Sequence, residues 1–393
     1  MKSNSASIAL LAVPVLAAYI ICAQPTIAYI SIWTVLQWLP INANISGNYW
    51  ERMHCVLLEK ILEEKRKSRS DSHAEVQIPT VDVQKHRQNL LQHLENNYGN
   101  DWRRRPVLFK GLWTKDELQQ NSDGTPRMLS LDNLLKMDLQ IPYFTNASVR
   151  ALIPDHHGSV GDIVRNITMG KPHKIGTQLI LEKYPGLIRE VAPLDVVNDL
   201  FGKYFTSDQI KSSGPWNLFP ATTTVPVFIA KHGDGTTISQ PGTSSSDSST
   251  RSNYPTAKLK PNQNQPFTSL HCEPIGNIAV QLSGQKKWTL VQPEYSFHIK
   301  PGISPDGRAF FASWASESDC ESVPTYNAIT AAGDAIWVPT WTWHRVDYIE
   351  SKDIAIGGSL FHFRLIDFFE NNALFSVLII PAMLKELLGF NTQ

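Results

Sequence analysis

Cysteine is scarce in this chain. Four residues (Cys22, Cys55, Cys272 and Cys320) are scattered over 393 positions. That spacing excludes a disulfide-framework fold and a zinc knuckle built on paired cysteines; one bridge involving Cys55 or Cys320 stays open. Net charge is also absent, because 36 basic residues balance 36 acidic ones. With no basic excess, nothing argues for a nucleic-acid surface. Charged residues are only 18% against 42% hydrophobic, the balance of a globular chain that can bury a sizeable core. The length suggests one large domain or two smaller ones. The apolar run from Ile8 to Cys22 stops short of the ~20 residues that a spanning helix needs.

That run is nevertheless the first feature to explain. It follows a short polar stretch carrying Lys2 and ends at Ile21-Cys22-Ala23, a mediocre cleavage site. A largely apolar segment from Ile27 to Leu39 continues it. Residues 1–40 therefore read as a signal peptide or, taken with the second segment, as an uncleaved signal anchor. Three acceptor sequons, at Asn44, Asn146 and Asn166, fit a secretory route but arise readily by chance. The expected location is membrane-anchored or lumenal in the ER or Golgi.

Residues 41–100 read as a helical stalk and linker. Trp50, Met53, Leu57 and Ile61 fall at helical spacing within Trp50–Arg69, either as a stalk or as a helix on the domain surface. A second helix is expected over Gln84–Tyr98. The segment from Arg105 to Trp113 reads as a strand stopped by Gly111, and Leu129–Met137, Val160–Met169 and Thr177–Tyr184 read as helices. Thr222–Ala230 is β-branched and apolar, with Pro226 marking a strand start or an edge. Residues 233–265 contain Ser244 to Ser249 and scattered Gly, Pro, Asn and Gln. Such a composition cannot order itself by burial, so a disordered insert is expected, as a substrate lid or a tolerated insertion. From Phe267 to Phe363 short runs alternate with turn signals: Asn277–Leu282, Lys286–Val291, Ala335–Val338, Trp343–Ile349 and Ile354–Phe363. The fold class expected over residues 101–364 is mostly β with helical flanks (α+β), around a jelly-roll, or double-stranded β-helix, core. Residues 365–393 form an apolar helical tail broken or kinked at Pro381. It suits packing on its own domain, a homodimer contact or a second membrane contact.

Chemistry concentrates in two segments. His271-Cys272-Glu273-Pro274 lies in a strand-like run, where side chains two apart share a face. His344 follows 71 residues past Glu273, at the end of Trp337-Val338-Pro339-Thr340-Trp341-Thr342-Trp343. Two imidazoles and a carboxylate make the facial triad of non-haem Fe(II) oxygenases, which leaves positions open on the metal. A lone His-X-Glu is weak evidence. Lys286 taken alone reads as a solvated turn lysine beside Lys287, Asn277 as a turn cap, and Trp341, Trp343 and Cys272 as core.

The run from His271 to Pro293 resembles the JmjC/cupin-like 2-oxoglutarate oxygenases, in particular the factor-inhibiting-HIF-type small hydroxylases. Their Thr three residues before the first His is Thr268, their Asn six residues after it is Asn277, and their Gly-X-Lys is Gly284-Gln285-Lys286. Their Gly-Asp…Trp-Trp-His segment is similar to Gly333 to His344, with Thr342 in place of the first Trp. The resemblance covers roughly Arg105 to Phe363. It implies that His271, Glu273 and His344 hold Fe(II), that Lys286 and Thr268 hold the distal carboxylate of 2-oxoglutarate, and that Asn277 reaches the carboxylate near the metal. It further implies O2-dependent decarboxylation of 2-oxoglutarate to succinate coupled to C–H hydroxylation, with a protein or peptide as substrate. Demethylation and a catalytically inactive cupin-like binding module are the alternatives. The family's Asn 15 residues after the second His is Ser359 here, and its co-substrate Tyr has no match near Lys174 to Gln178.

Overall fold

The computed structural model describes residues 75–145, 154–202, 223–232, 266–296, 298–303, 309–313 and 323–387. The expected leader or anchor, the helix at 50–69, the Ser-rich insert, Cys22, Cys55 and Cys320 lie outside them. Among the described residues no helix is long and apolar enough to cross a membrane.

The strands, in chain order, are β1 (Glu75–Val76), β2 (Thr80–Asp82), β3 (Val107–Lys110), β4 (Gln140–Tyr143), β5 (His156–Ser159), β6 (Lys174–Thr177), β7 (Thr223–Thr224), β8 (Val227–Ala230) and β9 (Phe267–Cys272). They continue with β10 (Gly276–Ser283), β11 (Gln285–Val291), β12 (Pro301–Ile303), β13 (Phe311–Ser313), β14 (Thr325–Ala331), β15 (Ala335–Val338), β16 (Trp343–Tyr348) and β17 (Ala355–His362). One sheet has the order β1-β14-β11-β16-β9-β13-β12; the other runs β2-β3-β15-β10-β17-β8-β6, with β7 on β17. Pairing is antiparallel except at β1–β14 and β2–β3. From β8 to β11 and again from β14 to β17, consecutive strands alternate between the sheets. The architecture is mixed α+β, and closure into a barrel is not seen among the described residues.

The two sheets stack through Leu108, Ala279, Ile336 and Val338 on one side and Trp288, Leu290, Tyr326, Ala328 and Val346 on the other. In β11 the sequence shows the reason: Lys286, Trp288 and Leu290 are buried while Lys287 faces out and Thr289 is half-exposed, a period of two with one wet face. β10 is different, since both its faces are covered. Ile278 and Val280 meet the helices outside, with Ile163, Val164 and Val191 in the same core. The alternate residues Asn277, Ala279 and Gln281 therefore face the space between the sheets. Polar side chains on an inward face, with apolar ones turned to the helices, reverse the usual pattern and mark that space as more than a packed core.

Turns hold the motif strands in register. Gly284 sits at φ 64°, and a Cβ there would come within 2.8 Å of Ala355, so β10 reverses into β11 only with glycine. Asp334 is buried and accepts from the Lys110 ammonium at 2.7 Å and from the Gly111 and Ala331 backbone N–H groups at 3.1 and 2.9 Å.

Several expected elements differ in extent. Gln84–Tyr98 is split into helices Val83–His86 and Leu90–Tyr98. Leu129–Met137 contains only the short helix Leu131–Leu134, whereas Val160–Thr168 forms as expected, capped by Ser159 on the Asp162 N–H at 3.2 Å. Residues 177–184 divide into the end of β6 and helix Leu179–Lys183, and Pro226 interrupts the run that becomes β7 and β8. Pro381 does not end the tail helix. The break falls at Asn372, between Leu365–Asn371 and Ala373–Leu387. A helical proline frees the carbonyl four residues back; here that residue is Val377, exposed to water. The tail packs on its own domain: Phe375, Leu378 and Ile379 are fully buried against Phe311, Trp341 and Trp343, each contributing about 1.5–3 kcal/mol of burial. Val377, Ile380 and Leu384 stay exposed.

Candidate metal centre

His271 belongs to β9 and His344 to β16, and the two are directly paired across the strands. Their rings lie 4.1 Å apart between centroids, tilted by 52°. Glu273 corrects the simple strand reading, because β9 ends at Cys272. The carboxylate is carried by the residue just beyond the strand and is steered by the chain opposite: the Trp341 N–H donates to the Glu273 carbonyl at 2.9 Å. Trp341 itself adopts φ 64°, held by indole hydrogen bonds to the Phe368 carbonyl at 2.9 Å and Ser376 Oγ at 3.1 Å. The aromatic turn before His344 thus also positions the acidic ligand. Glu273 Oε1 stands 3.9 Å from His271 Nε2, and one ligand atom from each of His271, Glu273 and His344 lies within 4.8 Å of the others.

The donor chemistry fits a divalent transition metal. Each imidazole is tied by its Nδ1 to the carbonyl two residues back, His271 to Ser269 at 2.7 Å and His344 to Thr342 at 3.1 Å. With Nδ1–H donating, the Nε2 lone pair faces the centre, the tautomer and orientation that metal sites use. His344 is fully enclosed, and burial brings its pKa down to about 4, so it is neutral and ready to ligate near pH 7.

The residues expected to hold a co-substrate share the same intersheet space. Opposite His344 to Val346 on β16, β9 runs from His271 back to Thr268, one residue longer. Such a bulge turns Thr268 to the same side as His271, three residues on, which strict alternation forbids. Lys286 is 5% exposed, whereas Lys287 beside it is exposed. Its Nζ stands 5.3 Å from the Tyr348 ring centroid and 5.5 Å from that of Phe228. Burial, with no carboxylate partner among the described residues, pulls its pKa down to about 7. A Cβ at Gly357 would lie 2.9 Å from that Nζ, so the glycine makes room for the ammonium. Asn277 is 4% exposed and its Oδ1 has no hydrogen-bond partner among the described residues. Ser359, opposite Ala279, faces the same space. Cys272, as expected, is core.

Sequence reasoning missed Lys174, Gln281, Trp288 and Tyr348 as lining of this space. Only Gln281 had a readable signal: a polar residue in phase with Asn277 on a strand otherwise apolar. No curated protein matches the sequence. Residues 248–358 match the family model described as the cupin-like domain, which spans the whole ligand set; this stretch of the chain is a cupin-like domain carrying a metal-ready His-X-Glu…His cluster.

Proposed function

We propose that this chain is an Fe(II)- and 2-oxoglutarate-dependent dioxygenase with a jelly-roll core, which hydroxylates a side chain of a protein or peptide in, or facing, the secretory lumen. One observation carries the reading: a complete two-His, one-carboxylate set and a buried lysine with no counter-charge among the described residues open into the same intersheet space.

Iron(II), when held by His271, Glu273 and His344, supplies the activation of O2 and the site where 2-oxoglutarate chelates. The chain's own groups do the rest. Their Nδ1 bonds hold both imidazoles in the ligating tautomer. Lys286 gives the distal carboxylate a desolvated charge partner, with the Thr268 hydroxyl beside it. Lys286 pairs with Tyr348, four residues along β16 from His344, or roughly 13 Å of strand. An extended diacid and a lysine stem together would suit such a gap. Asn277 would reach the carboxylate near the metal, its amide N–H donating. Ser359, too short to reach as an asparagine would, leaves that contact to Asn277.

The complete ligand set disfavours an inactive binding module, and a lumenal site disfavours histone demethylation. The lumenal placement rests on the apolar leader at residues 1–40 and the sequons. The exposed stripe Val377, Ile380 and Leu384 supports self-association or membrane contact through the tail. The activity test is succinate formation from 2-oxoglutarate with Fe(II), in wild type and His271→Ala. Turnover in wild type alone supports the reading; no turnover and no 2-oxoglutarate binding refute it. For location, carbonate extraction with glycosidase treatment decides, and a soluble, unglycosylated cellular product refutes the secretory placement.

A further inference from the structure

Lys174 opens β6, the edge strand of the eight-stranded sheet, and the proposed reaction gives it no role. It is 3% exposed, as enclosed as Lys286 at 5%. Lysine ordinarily snorkels its charge to water and is almost never fully buried unless paired. Yet neither lysine forms an ion pair among the described residues, and Lys174 Nζ has one hydrogen bond, to the Phe267 carbonyl on β9 at 3.3 Å. That bond crosses from one sheet to the other and ends next to Thr268.

The two lysines approach rings that pack on one residue. Lys174 Nζ stands 4.3 Å from the Phe144 ring centroid, and Lys286 Nζ stands 5.5 Å from that of Phe228. Both rings pack on Gly176: a Cβ there would be 3.2 Å from Phe228 and 3.7 Å from Phe144. Gly176, Phe228 and Gly357 are in register across β6, β8 and β17. The two glycines flanking that of Phe228 make room for it at Gly176 and for the Lys286 ammonium at Gly357.

We propose that Lys174 and Lys286 together form a two-lysine anion pocket, in which Lys174 is a second cationic contact for the distal carboxylate of the co-substrate. This rests on the oxygenase reading for the identity of the ligand, though not for the pocket. A purely structural Lys174 would be an expensive way to satisfy one carbonyl, because any neutral donor does so without burying a charge. Burial brings both groups down to about 7; an arriving carboxylate supplies the missing counter-charge to both and is shared between them.

The test uses the full chain loaded with Zn(II), which is redox-inert. Calorimetric titrations of 2-oxoglutarate, glutarate and inorganic phosphate are run on wild type, Lys174→Met and Lys286→Met. Lys174→Met is expected to weaken 2-oxoglutarate binding by about 10–100-fold, the range for a hydrogen bond to a charged group, while keeping or raising the melting temperature. Unchanged affinity with a lowered melting temperature overturns the pocket and leaves the oxygenase reading standing. Binding of glutarate or phosphate but not 2-oxoglutarate, lost in Lys174→Met, supports the pocket and removes the oxygenase reading. Binding of none of the three by wild type overturns both. A measurement on wild type alone covers a variant that fails to fold: with 15N-labelled lysine, both buried Nζ resonances are expected to move on adding ligand, and movement of only one overturns the proposal.

Discussion

Replacing Lys286 with methionine should stabilise the ligand-free protein while crippling co-substrate binding. Burial takes the ammonium from an ordinary 10.5 down to about 7. At about 1.4 kcal/mol per pK unit, that difference of roughly 3.5 units amounts to a folding penalty of up to about 5 kcal/mol. The sign follows from proton counting. The folded pKa lies below the unfolded one, so between about pH 7 and 10.5 the unfolded chain holds more protons and native stability rises with pH, by about 1.4 kcal/mol per unit for this group. The full penalty stands at pH 7 and below, and it vanishes towards pH 10.5. Methionine fills a similar volume without charge. The variant should therefore gain about 2–5 kcal/mol at pH 7, or about 4–10 °C in melting temperature for a domain of this size, and the gap should close as pH rises. Denaturant titrations of ligand-free wild type and variant at pH 7, 8, 9 and 10 measure this directly. In the same variant, 2-oxoglutarate affinity should fall about 100-fold, because the only gain from an uncompensated buried cation comes when its anion arrives. A lower melting temperature at pH 7, or a gap that does not change with pH, would refute the idea that Lys286 is buried without a counter-charge.

Three further outcomes follow from the geometry. His344→Ala should abolish stoichiometric metal binding, read by elemental analysis after dialysis, and retained stoichiometry would remove His344 from the ligand set. Asn277→Ala removes a buried amide whose Oδ1 lacks a partner among the described residues; 2-oxoglutarate binding should weaken about tenfold with stability changed by less than about 1 kcal/mol, as measured by titration and thermal melting. Gly357→Ala places a Cβ 2.7 Å from the Val280 carbonyl and 2.9 Å from Lys286 Nζ. It should cost about 1–3 kcal/mol by overpacking and lower co-substrate affinity at the same time, whereas a melting curve identical to wild type would show that the pocket is wider than described.

How much of this was legible beforehand differs from residue to residue. The candidate metal ligands were readable because their chemistry is local: an imidazole and a carboxylate two positions apart, then a second imidazole behind an aromatic, proline-marked turn. Lys286 was readable only through its fixed spacing from His271, since position alone favoured a solvated lysine. The strands β10, β11, β15, β16 and β17 announced themselves by β-branched runs and Gly turns. By contrast, β1, β2 and the hairpin β4–β5 were missed, because two- to four-residue strands carry too short a pattern to register.

Residue types and their order along the chain were enough to bring out the candidate metal cluster, the lysine proposed for the co-substrate and a β-rich core, because each depends on side-chain chemistry and short spacings. Whether those groups meet was settled by long-range pairing. Glu273 leaves its strand and is steered by the Trp341 N–H from the facing turn. The bulge in β9 brings Thr268 to the side of His271 against the two-residue period. Lys174, some hundred residues before His271, is carried across the intersheet space to Phe267. None of these is visible in a local pattern, because burial, face and proximity between distant strands arise only when the sheets stack and exclude water.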